Sequence, residues 1–309
     1  MPGVLAGCVR SERVRGDTPA EQITLIIDAK GERWPISKLY DQDIGRYVWF
    51  DPRVVPALIQ KRGGGLIWYS QDTGGVWSLP DYKVHFGVNR LGLITVYAYD
   101  IARLPVWQQR TWAAHNIVPD GAVSGELLDA QMRTRPANTW APEAAIPELM
   151  DRLDALFRHW LGAALFKHHD ATSIVLRTVH RFRALEQNGL LALAKDLARL
   201  IVDRIDIASL RTVCAPPKDQ TWGSLKSLEN ALGTLMPKDQ ARSLLTPLVG
   251  IYELRLGDAH LPSSTIDEAY EMIGIDRSTH AVDQGLQMLG HAANALSAIG
   301  GATSAALKK

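Results

Sequence analysis

Arg255 and His260 are the two residues of this chain whose types and spacing best suit chemistry. They close the run SLLTPLVGIYELRLGDAH at residues 243–260, an apolar stretch with helical spacing that ends in a polar turn before Pro262. A histidine titrates near neutral pH and can take a proton from a ribose 2′-hydroxyl. An arginine presents a fork of donors that can hold a phosphate and stabilise the charge of a pentacoordinate transition state. Such a pair works without a metal, and no metal or cofactor is expected.

The spacing sets a condition. Five residues of α-helix turn through about 500°, which leaves the two side chains roughly 140° apart. They converge only where the helix ends or loosens near Gly257, or where two subunits face each other. Chance also contributes, since 23 arginines and 9 histidines give about two Arg-x(4–6)-His matches at random. Three occur, Arg110/His115, Arg152/His159 and Arg255/His260, and helical context singles out the last. A structural account stands beside the chemical one. Arg255 can pair with Asp258 three residues on, and a histidine near a helix C-terminus can bond free carbonyls and is favoured by the macrodipole.

The second candidate is KHHDATSIVLRTVHRFR at residues 167–183, the densest cationic stretch. It sets Lys167, Arg177, Arg181 and Arg183 against a single acid, Asp170. Arg177, His180 and Arg181 are spaced to share a helix face. With Arg183 they are candidate RNA or phosphate contacts; the alternative is a solvated basic face. His168-His169-Asp170 has no carboxylate at helical spacing and is a poor metal site. RGGG at residues 62–65 lacks the Gly-Lys-Ser/Thr end of a phosphate loop.

The elements that must position these residues fall into two halves. Residues 1–21 form a lead-in. Residues 22–133 alternate short β-branched and aromatic runs with turns, which predicts an α+β module with a small antiparallel sheet. Strands are expected around Ile23–Ile27, Tyr47–Phe50, Leu66–Tyr69, Val76–Leu79, Lys83–Val88 and Leu93–Tyr99, with a turn at Asp72–Gly75. Short helices follow Asp51-Pro52 and Leu104-Pro105, and another covers residues 126–133. Seven of the nine tryptophans lie in the first 140 residues. They either fill the sheet's core or present an aromatic surface to a base, sugar or peptide.

Residues 134–147 carry three prolines and no periodicity, and read as a linker. From residue 148 to 303 the chain reads as a helical bundle. Leucine stripes recur through residues 146–166, from Gly189, and at Leu225, Leu228, Leu232 and Leu235. A helix from Pro237 is expected to reach about Ala259. The last helix should open at Ser278 and stop at Gly300-Gly301, leaving a frayed tail.

Composition narrows the field. A formal net charge of +1 offers no global field for nucleic acid or membrane. Cys8 and Cys214 form neither a disulfide framework nor zinc spacing. The start lacks the basic-then-apolar order of a secretory leader, and no apolar run approaches a membrane span. A cytoplasmic location is the expectation.

GSLKSLENAL, the helix ending YELRLGDAHLPSS and the long Ala/Leu helix after it resemble the HEPN superfamily over roughly residues 189–300. With WQQRTWAAHN upstream they are also similar to a group of uncharacterised bacterial proteins. The resemblance implies an all-α HEPN-like bundle and a metal-independent endoribonuclease of phage defence or a toxin–antitoxin stress response. Arg255 would clamp the phosphate and His260 serve as general base or acid. It further implies an RNA substrate, a homodimer through the bundle, and a protein partner or antitoxin. The competing expectation is a non-catalytic HEPN-like dimerisation or partner-binding protein with an aromatic-rich recognition module.

Overall fold

The structure is a computed structural model that describes residues 22–41, 45–170, 172–256 and 263–308. Strands β1 (Thr24–Ile26) and β2 (Arg33–Pro35) form an antiparallel hairpin. Its turn is built by Asp28, whose Oδ1 accepts the N–H groups of Lys30 and Glu32.

A six-stranded antiparallel sheet follows. It contains β3 (Tyr47–Phe50), β4 (Gly65–Trp68), β5 (Thr73–Trp77), β6 (Val84–Val88), β7 (Ile94–Tyr97) and β8 (Asn116–Ile117), in the order β4-β5-β6-β7-β3-β8. Helices α1 (Val54–Ile59), α2 (Ala98–Ala102), α3 (Val106–Ala113) and α4 (Gly125–Met132) interleave with the strands. The β6–β7 hairpin turns at Asn89, whose Oδ1 accepts from the backbone of Leu91 and Leu93 and so replaces the missing ladder.

Val48, Phe50, Val76, Phe86 and Val96 bury one face of the sheet, and Trp112 closes edge-on against Phe50 at 4.8 Å. Trp112 is therefore core, whereas Trp107 and Trp140 are exposed. Helix α4 is tied to the sheet through Tyr47 Oη, which donates to Gln131 at 2.9 Å.

The expected turn at Asp72–Gly75 is corrected by the structure, because Gly74 and Gly75 lie inside β5. A Cβ on Gly74 would sit 2.6 Å from the Ile67 carbonyl oxygen and 2.8 Å from the Phe86 ring. The glycine is there so that the core ring can lie on the strand.

The C-terminal half is helical: α5 (Pro142–Leu161), α6 (Thr172–Leu176), α7 (Gln187–Leu197), α8 (Ile207–Leu210), α9 (Ser224–Leu232), α10 (Lys238–Leu256), α11 (Ser263–Ile273) and α12 (Ala281–Leu307). The overall class is thus α+β, with the sheets first and the helices after. Leucine stripes build much of the bundle core; Leu190, Leu193, Leu197, Leu228, Leu232, Leu245, Ile251 and Leu289 are all buried together, whereas Leu225 is partly buried and Leu235, expected in the same stripe, lies past the end of α9 and is also only partly buried.

Two expected boundaries move. Helix α5 starts inside the expected linker, with Pro142 in its first turn. The segment before it is tethered, since Thr139 Oγ1 donates to Glu126 at 2.7 Å and accepts from the Gln71 N–H. Helix α12 is capped by His280 rather than Ser278 and runs through Gly300-Gly301 to Leu307. Packing overrides the glycines there, because Ile299 and Thr303 are both buried.

The halves share a core. Phe182 and Val282, from the helical half, are buried among the sheet's apolar residues. No helix among the described residues is long and apolar enough to cross a membrane.

Candidate functional site

Helix α10 presents Arg255. Leu245, Leu248, Ile251 and Leu254 bury one side of this helix. Gly250 allows α11 to approach so closely that a Cβ there would lie 2.7 Å from Ile273. Arg255 sits one residue past the buried Leu254 and emerges at the surface, its side chain 28% exposed. Its Nη1 donates to Asp203 Oδ1 at 2.5 Å, and its guanidinium carbon stands 5.3 Å from the Tyr252 ring centre. Asp203 follows the π-helical turn Ala198–Val202 that extends α7. It faces two recesses. One is a groove of about 560 Å³ with apolar walls at Leu225, Leu245, Val249 and Tyr252 and charged ones at Lys226, Glu229, Arg242 and Glu253. The other is a cleft of about 110 Å³ shared with His169, Thr172, Arg199 and Arg204.

His260 and Asp258 lie outside the described residues, and the expected Arg255/Asp258 pair with them. Among the described residues the carboxylate that holds Arg255 is 52 positions earlier. No local spacing announces Asp203; the only signal is an acid closing a leucine-striped helix.

The basic stretch is taken apart by the fold. Arg177, His180 and Arg181 do not share a helix face: α6 stops at Leu176, His180 is extended, and Arg181–Arg183 is a separate 3₁₀ turn. Lys167 lies 3.8 Å from Asp206, and Arg183 lies 3.5 Å from Asp196. Arg177 is exposed.

Arg181 departs furthest from a surface phosphate contact, because its side chain is only 1% exposed. Its Nε and Nη2 donate to the two oxygens of buried Glu143 at 2.8 and 3.0 Å, and its backbone N–H adds a third bond. The guanidinium lies 4.1 Å over the Trp68 ring, and Nη1 comes within 3.7 Å of Asp72 without a hydrogen-bond partner. The group therefore joins α5, the 3₁₀ turn and the β4–β5 hairpin at the seam between sheet and bundle. His180 beside it is buried with Nδ1 unpartnered. Burial pushes its imidazole down to about 4, against the opposing pull of Glu143.

The same seam opens into a cleft of about 620 Å³ lined by Asp72, Glu126, Arg181, His280 and Asp283. Burial, then repulsion from Glu126, raises the Asp72 carboxyl above its ordinary value, while Arg181 pulls the other way. The remaining carboxylates there have structural work. Glu126 accepts from Ser70 Oγ, the Asp72 N–H and Thr139 Oγ1. Asp283 accepts from Gln287 in the first turns of α12. His280 Nδ1 caps that helix by accepting from the Asp283 N–H, and its Nε2 reaches the Arg90 carbonyl at 3.1 Å. Among the described residues no group of three or more His, Cys, Asp or Glu side chains is arranged to hold a metal ion.

Fold and geometry together define an α+β protein whose sheet and bundle are joined by a buried arginine–glutamate pair. Comparison of the chain with protein-family models, curated proteins and solved structures gives no match in any of the three.

Proposed function

We propose that this chain is a HEPN-type, metal-independent endoribonuclease acting in bacterial defence or a toxin–antitoxin stress response. The observation that carries the reading is the placement of Arg255: at the end of an apolar bundle helix, at the surface, and paired among the described residues with a partly exposed carboxylate. In this reading His260 takes the 2′-hydroxyl proton, the 2′-oxygen bonds to phosphorus as the P–O5′ bond breaks, and the leaving 5′-oxygen takes a proton from water. Arg255 exchanges Asp203 for the phosphate and stabilises its added charge. The protein works as a homodimer through the bundle, which brings together side chains that a single helix would hold apart, and an antitoxin or other protein partner restrains it.

A second reading is favoured by the Arg255–Asp203 ion pair itself: a non-catalytic HEPN-like bundle for dimerisation or partner binding, in which Arg255 serves α7–α10 packing. RNA cleavage in the presence of a chelator separates the two. Arg255→Ala and His260→Ala each abolish cleavage under the first reading while circular dichroism is unchanged. Equal cleavage by wild type and both variants refutes it.

A further inference from the structure

Strand β4 is the first strand of the sheet, and a cavity of about 460 Å³ wraps its outer edge. We propose that this cavity is a nucleotide site, holding a nucleobase against the Trp77 indole with its phosphate on Arg177.

The walls are aromatic and fixed. The Trp77 indole lies against Gly65 so closely that a Cβ there would be 2.4 Å from the ring. Trp68 is packed between neighbours, with Phe182 stacked at 5.7 Å and 15° and the Arg181 guanidinium 4.1 Å over its ring, so it serves as a fixed wall and leaves stacking to Trp77. Indole faces accept any base by stacking. The polar groups in these walls are unfilled. His180 Nδ1 and Trp68 Nε1 have no hydrogen-bond partner, and the imidazole is neutral, so it can donate or accept.

Charge selects an anion. Glu143 also lines the cavity, but both its oxygens are taken by Arg181. Arg177 lines the cavity, is exposed, and makes no ion pair among the described residues. Lys61 and Arg62 lead into Gly64 at the same wall. A sugar would find no free carboxylate to accept its hydroxyls, and a purely apolar ligand would leave Arg177 and His180 unused. The volume falls within the usual range for small-molecule pockets.

Helix α6 links this site to the arginine of the proposed nuclease. Leu176 at its end faces the nucleotide cavity, whereas Thr172 and Val175 face the small cleft with Asp203, the carboxylate that holds Arg255. The binding site itself does not depend on the nuclease reading.

The test is calorimetric titration of the full chain with the four ribonucleoside monophosphates, their nucleosides, and a short single-stranded RNA. Saturable binding with Kd below about 1 mM is expected for at least one mononucleotide or for the RNA. Mononucleotide binding assigns a free ligand, and binding of RNA alone assigns a segment of a strand. Arg177→Ala should weaken the phosphate-bearing ligand roughly fivefold or more and leave the nucleoside unchanged. Trp77→Leu should weaken both. Dependence of binding on Arg177 and Trp77, neither of which takes part in the proposed cleavage, separates this site from the cleavage reading. No saturable binding by any of these probes, or an equal effect of Arg177→Ala on nucleoside and nucleotide, overturns the proposal.

Discussion

The pH dependence of stability is the sharpest consequence of the seam between sheet and bundle. His180 is buried there and its imidazole is pushed down to about 4 from an ordinary value of 6.5. Between those two values the unfolded chain binds a proton that the folded chain refuses. The stability this group contributes is therefore complete above pH 6.5 and is lost as pH falls toward 4. A shift of about 2.5 units corresponds to about 3 kcal/mol in all, of which about 2 kcal/mol falls between about pH 7 and about pH 4.5.

Urea titration at those two pH values, followed by far-ultraviolet circular dichroism, measures it. His180→Gln cannot titrate, so wild type should lose about 2 kcal/mol more than the variant on acidification. Asp72 works in the opposite direction, because its carboxyl is raised in the fold, and is common to both proteins. Equal losses in wild type and variant would refute the assignment of a buried neutral imidazole.

Two further substitutions probe the same architecture. Arg181→Met leaves Glu143 buried without its cation and should cost roughly 3–5 kcal/mol, whereas the double variant Arg181→Met/Glu143→Gln should recover at least half, as read by denaturation midpoints. Additive losses would count against a buried pair. Gly74→Ala drives a methyl into the Ile67 carbonyl and Phe86 and should cost about 1–3 kcal/mol. Gly75→Ala meets the Tyr69 hydroxyl and the Cδ and Cγ of Lys83, side-chain atoms that can move aside, and should cost less than about 1 kcal/mol. Comparable melting temperatures for the two variants would contradict the packing of Phe86 on β5.

Much of the fold is legible because its signals are local. The β6–β7 hairpin follows from two β-branched runs around Asn89, and the bundle helices follow from leucines three and four apart. What fails is set by tertiary contact. Gly74-Gly75 has the composition of a turn, and only the ring across the sheet makes it a strand. Gly300-Gly301 has the composition of a stop, and only the burial of Ile299 and Thr303 carries α12 through it. Pro142 reads as linker until Glu143 is seen gripping Arg181. The site fares worse for the same reason. A cation's role depends on which carboxylate the fold brings to it, and both decisive partners are distant, 38 residues for Arg181 and 52 for Arg255. Arg177 and His180 do meet in one cavity, although the helix face expected to unite them does not exist.

The two arginine–carboxylate pairs differ in energy in a way that bears on function. Arg181 and Glu143 are 1% and 3% exposed, so each ion has lost its water and neither can leave without stranding the other. That pair is a joint. Arg255 and Asp203 are 28% and 39% exposed, and a pair so hydrated is worth about 1 kcal/mol or less. In the proposed reading the pentacoordinate transition state carries more negative charge than Asp203 and displaces it from the guanidinium at small cost. The ion pair therefore does not remove Arg255 from chemistry. It holds the guanidinium at the surface in a defined position, and α6 lies between that position and the cavity at the edge of β4. That helix contributes Leu176 to the cavity and Thr172 and Val175 to the Asp203 cleft. The exposed pair is the cheaper one to break, and the buried pair holds the sheet to the bundle.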